Sequence, residues 1–170
     1  YRVFLMQRIE FKIDIHKSKK NIFLDFLNIN KVFKLYDDRL INSIYFDNDK
    51  FEIYNDSVEG ISPRKKIRLR FYGDKNQFDK QKEILLEKKF TNFTGRSKIS
   101  KKIKDFNDYL KYGILDTKYG ICYPRTVVSY LRSYHVCNDF RVTMDTNINF
   151  QSYNLENPIH KLVSIEDIIV

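Results

Sequence analysis

The chain has no tryptophan, two cysteines, three prolines and five glycines among 170 residues, and each scarcity closes off a class of protein. So little Gly and Pro excludes collagen-like and low-complexity chains, and no Gly/Ser-rich stretch divides the sequence into separate domains. Cys122 and Cys137 stand without a CxxC spacing, so two unpaired thiols in a reducing cytosol are expected rather than a disulfide framework. Three scattered histidines, His16, His135 and His160, give no basis for a zinc site. No apolar run approaches the roughly 20 residues of a membrane-spanning helix, and no signal-peptide pattern opens the chain at Tyr1. The expectation is one cytoplasmic domain over 1–170, a fragment of a longer protein.

What is present is apolar and basic. At 42% hydrophobic and 15% aromatic residues, all of the aromatics Tyr or Phe, the chain has enough to bury a core, so disorder is not expected. The formal net charge is +9, from 31 Lys and Arg against 22 Asp and Glu. That balance favours an anionic partner: nucleic acid, an acidic membrane or a phosphorylated small molecule.

Placement of the charges narrows the choice. Residues 7–15 alternate strictly, Ile9, Phe11, Ile13 and Ile15 facing one way and Arg8, Glu10, Lys12 and Asp14 the other. Ser18 is positioned to cap a helix carrying Ile22, Phe23, Phe26 and Leu27. Ile41–Phe46 reads as a strand, followed by a short helix or turn near Asp49–Asn55. In 65–72, Lys66, Arg68 and Arg70 oppose Ile67, Leu69 and Phe71. In Glu83–Phe90, Glu87 and Lys89 oppose Ile84, Leu86 and Phe90. A helix is predicted across 102–112, ended by Gly113. Arg125–Val136 groups Tyr130, Arg132 and Tyr134, and Phe140–Thr146 groups Arg141, Thr143 and Asp145. Strands dominate, which predicts an α+β fold built on an antiparallel sheet or barrel with short flanking helices.

One such strand is most simply a sheet with a solvated face. Five strands whose polar positions are nearly all ionisable argue differently. Closing the sheet into a barrel removes its edges, turns the apolar faces outward beneath helices and makes the charged faces a lumen. Cations facing one another there repel unless an anion lies between them. A linear phosphate chain is narrow, polyanionic and suited to the Arg fork. By this reasoning, removing Arg68 or Arg70 relieves repulsion and leaves the empty fold no less stable.

These residues resemble the VTC-type polyphosphate-polymerase branch of the triphosphate tunnel metalloenzymes, a CYTH-like superfamily. Arg8-Ile-Glu10-Phe-Lys12 is similar to that family's R-x-E-x-K strand, Ser43-Ile-Tyr45-Phe46-Asp47 to S-x-Y-F-D, and Lys66-Ile-Arg68-Leu-Arg70 to K-x-R-x-R. Leu86-Glu87-Lys88-Lys89 resembles the E-x-K strand. Pro124, Tyr130-Leu-Arg132 and Arg141-Val-Thr-Met-Asp145 resemble the later P…Y-x-R…R-V-T-x-D block.

The resemblance implies transfer of the γ-phosphoryl group of ATP onto a growing polyphosphate in a tunnel, with a divalent cofactor, Mn2+ or Mg2+. It implies catalytic roles for Arg68, Arg70, Lys89 and Arg132, and phosphate binding by Arg8, Lys12, Lys66, Lys98, Tyr130 and Arg141. Glu10, Glu87 and Asp145 become lumen carboxylates that position those cations or contact metal. The family's last strand, with its Glu metal ligand, has no convincing match in Ile165-Glu166-Asp167. The expectation is therefore a barrel missing its final strand, in a form that binds ATP or polyphosphate but makes little polymer.

Three alternatives stand beside this reading: a tunnel triphosphatase hydrolysing tripolyphosphate or organic triphosphates, a non-catalytic phosphate-chain binding module, and a nucleic-acid-binding sheet. The last is disfavoured, because most of the Tyr and Phe that would stack on bases fall on the apolar faces. Lys19-Lys20 and Lys101-Lys102 are most simply solvated, with contact to an acidic membrane or a membrane-protein partner as the alternative.

Overall fold

The computed structural model describes residues 10–73, 84–138, 140–153, 160–165 and 168–170. Ten strands make up most of it: β1 (Asp14–Ile15), β2 (Phe33–Asp47), β3 (Arg64–Tyr72), β4 (Ile84–Asn92), β5 (Gly95–Ile103), β6 (Ile114–Asp116), β7 (Gly120–Cys137), β8 (Phe140–Ser152), β9 (His160–Ile165) and β10 (Ile168–Ile169). Three short helices fill the gaps: α1 (Lys20–Ile29), α2 (Glu52–Val58) and α3 (Asn107–Tyr112). Among the described residues no helix is long and apolar enough to cross a membrane.

The pairing is antiparallel throughout, in the order β1-β10-β8-β7-β2-β3-β4-β5, with β6 on β7 and β9 on β8. The sheet is not closed by a ladder among the described residues. Its two ends nevertheless come together, with Nη1 of Arg96 on β5 lying 3.8 Å from Oε2 of Glu10, just ahead of β1. The antiparallel α+β architecture expected from the alternation is present, as a barrel-like sheet rather than a hydrogen-bonded cylinder.

The apolar face lies outside the curve. Ile67, Leu69 and Phe71 of β3 pack with Ile44 and Phe46 of β2, Ile53 of α2, and Phe106 and Leu110 beside and within α3. This is where burial of apolar surface stabilises the fold, at roughly 25 cal/mol per Å2 removed from water. Asp47 ties β2 to α2: its carboxylate accepts from the backbone N–H of Ile53 and Tyr54, each at 2.9 Å. Those are donors that a helix start leaves unpaired. On the same side, Asp116 accepts from Lys65 at 2.9 Å and lies 3.6 Å from Lys88, fastening β6 over β3 and β4.

Three local expectations change. Of the strand expected over 7–15, only Asp14–Ile15 forms among the described residues, paired with β10; residues 10–13 lie outside it, and Phe11 and Ile13 are exposed rather than on a covered apolar face. The helix predicted across 102–112 is shorter, because residues 95–103 pair in register with β4 from Asn92↔Gly95 to Ile84↔Ile103. Lys98, Ser100 and Lys102 alternate with Ile99, Lys101 and Ile103, a period of two that the neighbouring helical pattern obscured. Ser18 does not cap α1. It sits in a 3-10 turn over Lys17–Lys19, where its backbone N–H donates to Nδ1 of His16 at 3.3 Å. Gly113 does end α3, at φ +79, and a Cβ there would lie 2.8 Å from the carbonyl oxygen of Cys122.

Candidate functional site

Ladder registers place the ionisable residues of neighbouring strands side by side on the face opposite the apolar core. Arg68 on β3 stands between Tyr45 on β2 and Glu87 on β4, and Arg70 stands beside Ser43. Lys66, Lys89 and Lys98 form one row across β3, β4 and β5. On the other side of β2, Arg132 of β7 lies between Arg39 and Asp145 of β8. Directly opposed antiparallel residues share a face, so these strands line one concave surface.

The groups at its centre are buried and joined. Glu87, 2% exposed, accepts from Arg68 Nε at 2.7 Å and Nη2 at 2.5 Å through one carboxylate oxygen, and from Lys98 Nζ at 3.0 Å through the other. Arg68, 5% exposed, donates its remaining fork to the Tyr45 hydroxyl at 2.9 Å. Arg70 lies 3.9 Å from Glu87 and donates to the hydroxyls of Ser43 at 3.3 Å and Tyr130 at 3.1 Å. Arg132 grips Asp145 with two parallel bonds of 2.6 Å and stacks its guanidinium 5.1 Å from the Tyr130 ring centre. Tyr130 thus links the Arg70 and Arg132 clusters.

Protonation follows from this packing. Burial alone would raise the pKa of Glu87, but Arg68, Lys98 and Arg70 hold it down at about 2, so it is ionised at neutral pH. Lys89 is pushed down to about 8, by desolvation first and then by Arg68 and Arg70, with Glu87 and Glu10 opposing. Burial works against the charge on Arg132, yet Asp145 and the two neighbouring tyrosine hydroxyls raise its pKa. Tyr130 is raised by burial, against Arg70 and Arg132, so its phenol stays protonated and able to donate.

Of the residues singled out from sequence, Arg68, Arg70, Lys89, Lys98, Tyr130, Arg132, Glu87 and Asp145 are brought together on this surface. Glu10 approaches it from the chain ahead of β1. Lys66 is exposed beside Lys89. Lys12 is exposed in the segment before β1, and Arg141 is exposed near the β7–β8 hairpin opposite Val136. Arg8 lies outside the described residues, as do Glu166 and Asp167.

The structure adds Ser43, Tyr45 and Arg39. Ser43 and Tyr45 carried a sequence signal, two hydroxyls at i and i+2 on one strand, but their role as arginine anchors depends on register. Arg39 carried none, because the alternation of β2 is broken by bulges ahead of it.

A resident metal cage is not preformed here: among the described residues no three His, Cys, Asp or Glu converge. Glu87 and Asp145 already spend both oxygens on cations. Glu10 is the carboxylate least engaged, with its side chain 52% exposed. One or two carboxylates suffice for an ion that is otherwise held by phosphates and water, and this is the only manner of divalent binding that these residues fit.

Comparison with known proteins is consistent with the geometry. The family model of the VTC domain matches residues 5–119. Over 52 residues, 31% of the chain, the sequence is 44% identical to vacuolar transporter chaperone complex subunit 2 of Saccharomyces cerevisiae. The match spans only 6% of that curated relative's length. Among solved structures, a candidate adenylate cyclase from Vibrio parahaemolyticus superposes with a TM-score of 0.52 over 97% of this chain and 77% of that one. The identity there is 10%, so the likeness concerns the fold.

Proposed function

Because the chain belongs to the VTC-domain family, we propose that its concave face binds a linear chain of phosphates and transfers the γ-phosphoryl group of ATP onto a growing polyphosphate. The observation that carries this reading is an excess of cations on one face, Arg68 buried, Arg70 and Arg132 half-buried, and Lys89 and Lys98 exposed beside them. Arg68, Arg70, Lys89, Lys98 and Arg132 converge on a surface where Glu87 and Asp145 are the paired carboxylates. Mutual repulsion among cations held on one face is relieved by a polyanion, and Arg forks match phosphate oxygens in pairs.

In the proposed reaction a terminal oxygen of the polyphosphate attacks the γ-phosphorus of ATP. The bond from that phosphorus to the β–γ bridging oxygen breaks, and ADP leaves with the electron pair. The protein's task is positioning and neutralising charge. Glu87 fixes Arg68, Tyr130 and Ser43 fix Arg70, and Asp145 fixes Arg132, so these guanidinium groups meet the phosphates already oriented. Lys89 adds a further cation; Lys66, Lys98, Lys12 and Arg141 extend the phosphate track, and the family resemblance adds Arg8. Glu10 is the residue that would hold a divalent ion, Mg2+ or Mn2+, together with the phosphates, and the ion would supply neutralisation of phosphate charge.

A second reading, phosphate-chain binding without turnover, is favoured by one observation: Glu87 and Asp145 are committed to arginines rather than available to metal. Incubation with ATP and Mn2+, followed by gel resolution of products, tests the proposal. A ladder of polyphosphate with stoichiometric ADP, in place of the little polymer anticipated for these residues alone, is the outcome that supports transfer. Release of orthophosphate alone would identify a triphosphatase, and tight ATP binding with no product would leave a binding module.

A further inference from the structure

Next to the basic surface lies a cluster of different chemistry. Tyr36 on β2 and Tyr134 on β7 are ladder partners whose rings meet edge to face, 5.9 Å between centres and at 75°. The Arg39 guanidinium sits 5.7 Å from the Tyr36 ring centre and 5.8 Å from that of Tyr134. An open cavity of about 560 Å3 is lined here by Lys34, Leu35, Tyr36, Asp37 and Arg39. Its size falls within the range of small-molecule sites, roughly 300–1,000 Å3. The β2–β7 register shifts on both sides of Tyr36, between Lys34 and Tyr36 and again between Tyr36 and Arg39. Bulges re-aim side chains and recur beside functional sites.

Charge separates this cluster from the phosphate track. Two carboxylates, Asp37 and Asp38, stand among the cations here, and Lys34 Nζ lies 2.9 Å from Asp38. A phosphate meets two carboxylates there, whereas a flat, hydrogen-bonding, uncharged group gains a stacking surface, 52% exposed at Tyr36, and the Asp37 carboxylate as an acceptor for amino and hydroxyl groups. The cluster is also continuous with the track. Arg39 is the direct ladder partner of Arg132, and the Tyr134 hydroxyl is close enough to Arg132 to influence its charge.

Resting on the tunnel reading above, we infer that Tyr36, Arg39 and Tyr134 form the nucleoside subsite at the mouth of the phosphate track. The base of a nucleoside triphosphate stacks on Tyr36, its ribose or amino group donates to Asp37, and its phosphates run inward past Arg132 toward Arg70. Arg39 acts as a positioning residue that holds the two rings.

Calorimetric titration of ATP and of tripolyphosphate into the intact protein and its variants tests this. Tyr36→Ala is expected to weaken ATP about 5- to 100-fold, the range for loss of one base-stacking ring, while tripolyphosphate changes less than about twofold. Tyr36→Phe keeps the ring and should restore ATP binding. Tyr134→Leu provides a second probe should Tyr36→Ala fold poorly. Equal weakening of both ligands, or ATP binding indifferent to both tyrosines, overturns the nucleoside subsite but leaves the tunnel reading standing. A wild-type protein that binds neither ligand overturns both.

Discussion

Replacing Glu87 with Gln removes one charge from the middle of the concave face and leaves its shape nearly unchanged. In the wild type this carboxylate is 2% exposed and meets Arg68, Lys98 and Arg70. Its pKa falls from 4.5 to about 2 on folding. A shift of that size corresponds to about 3 kcal/mol of stability at neutral pH, at roughly 1.4 kcal/mol per unit. It agrees with the roughly 3–5 kcal/mol lost when one partner of a buried ion pair is removed. Because the folded pKa is the lower one, this stability is present above pH 4.5 and is lost as pH falls toward about 2. Urea unfolding should therefore show Glu87→Gln less stable than wild type by about 3 kcal/mol at pH 7, the gap narrowing below pH 4.5. Tripolyphosphate should restore part of the loss, since it gives Arg68 and Lys98 a replacement anion; ligand at 100 times its Kd adds about 2.7 kcal/mol. Equal stability of the two proteins at pH 7 would refute the idea that Glu87 holds the arginines. A variant that tripolyphosphate does not rescue would refute the phosphate track.

Tripolyphosphate should raise the melting temperature of the wild-type protein well above the effect of sulfate at equal ionic strength, measured by scanning fluorimetry; an equal rise would reduce the surface to general anion attraction. Lys89 has its folded pKa lowered to about 8 from 10.5, so its charge opposes folding below pH 8 and that penalty fades as pH rises toward 10.5. Phosphate binding pulls the proton back, so tripolyphosphate affinity should fall more steeply between pH 7 and 9 in the wild type than in Lys89→Met, read by titration calorimetry across that range. Gly113→Ala should cost more than about 1 kcal/mol in urea unfolding, because an L side chain at φ +79 is strained and its Cβ meets the Cys122 carbonyl at 2.8 Å. Neutral behaviour there would mean that the α3–β6 turn relaxes freely.

The parts of the fold that sequence revealed are those where an uninterrupted period of two also finds a partner strand; over 7–15 the alternation is strict, yet only Asp14–Ile15 pairs, with Ile168–Ile169. Lys66, Arg68 and Arg70 against Ile67, Leu69 and Phe71 gave both the strand and its two faces, and the register of β3 with β4 follows the same alternation. β5 was hidden because Lys101, Lys102 and Ile103 run directly into residues with helical spacing, and only pairing to β4 decides between the two. The full length of β2 was hidden because its bulges break the alternation between Lys34 and Arg39. Tertiary pairing overrides local pattern in both places.

At the site, sequence identified which residues are charged but not which cations are spent on carboxylates, and that difference changes an expectation. Treating the lumen as a set of mutually repelling cations implied that losing Arg68 costs the empty fold nothing. With Arg68 bonded to Glu87 at 2.5 and 2.7 Å, its removal leaves a carboxylate that is 2% exposed with fewer partners, which is destabilising. Arg70 is the better test of repulsion alone, since Ser43 and Tyr130 are its hydrogen-bond partners and Glu87 stands 3.9 Å away. Arg70→Ala should then weaken tripolyphosphate by about 1.5–3 kcal/mol, as for a charge-assisted hydrogen bond, with little change in apo stability. A large loss of apo stability in Arg70→Ala, measured beside unaltered tripolyphosphate affinity, would make these arginines structural and the excess of charge incidental.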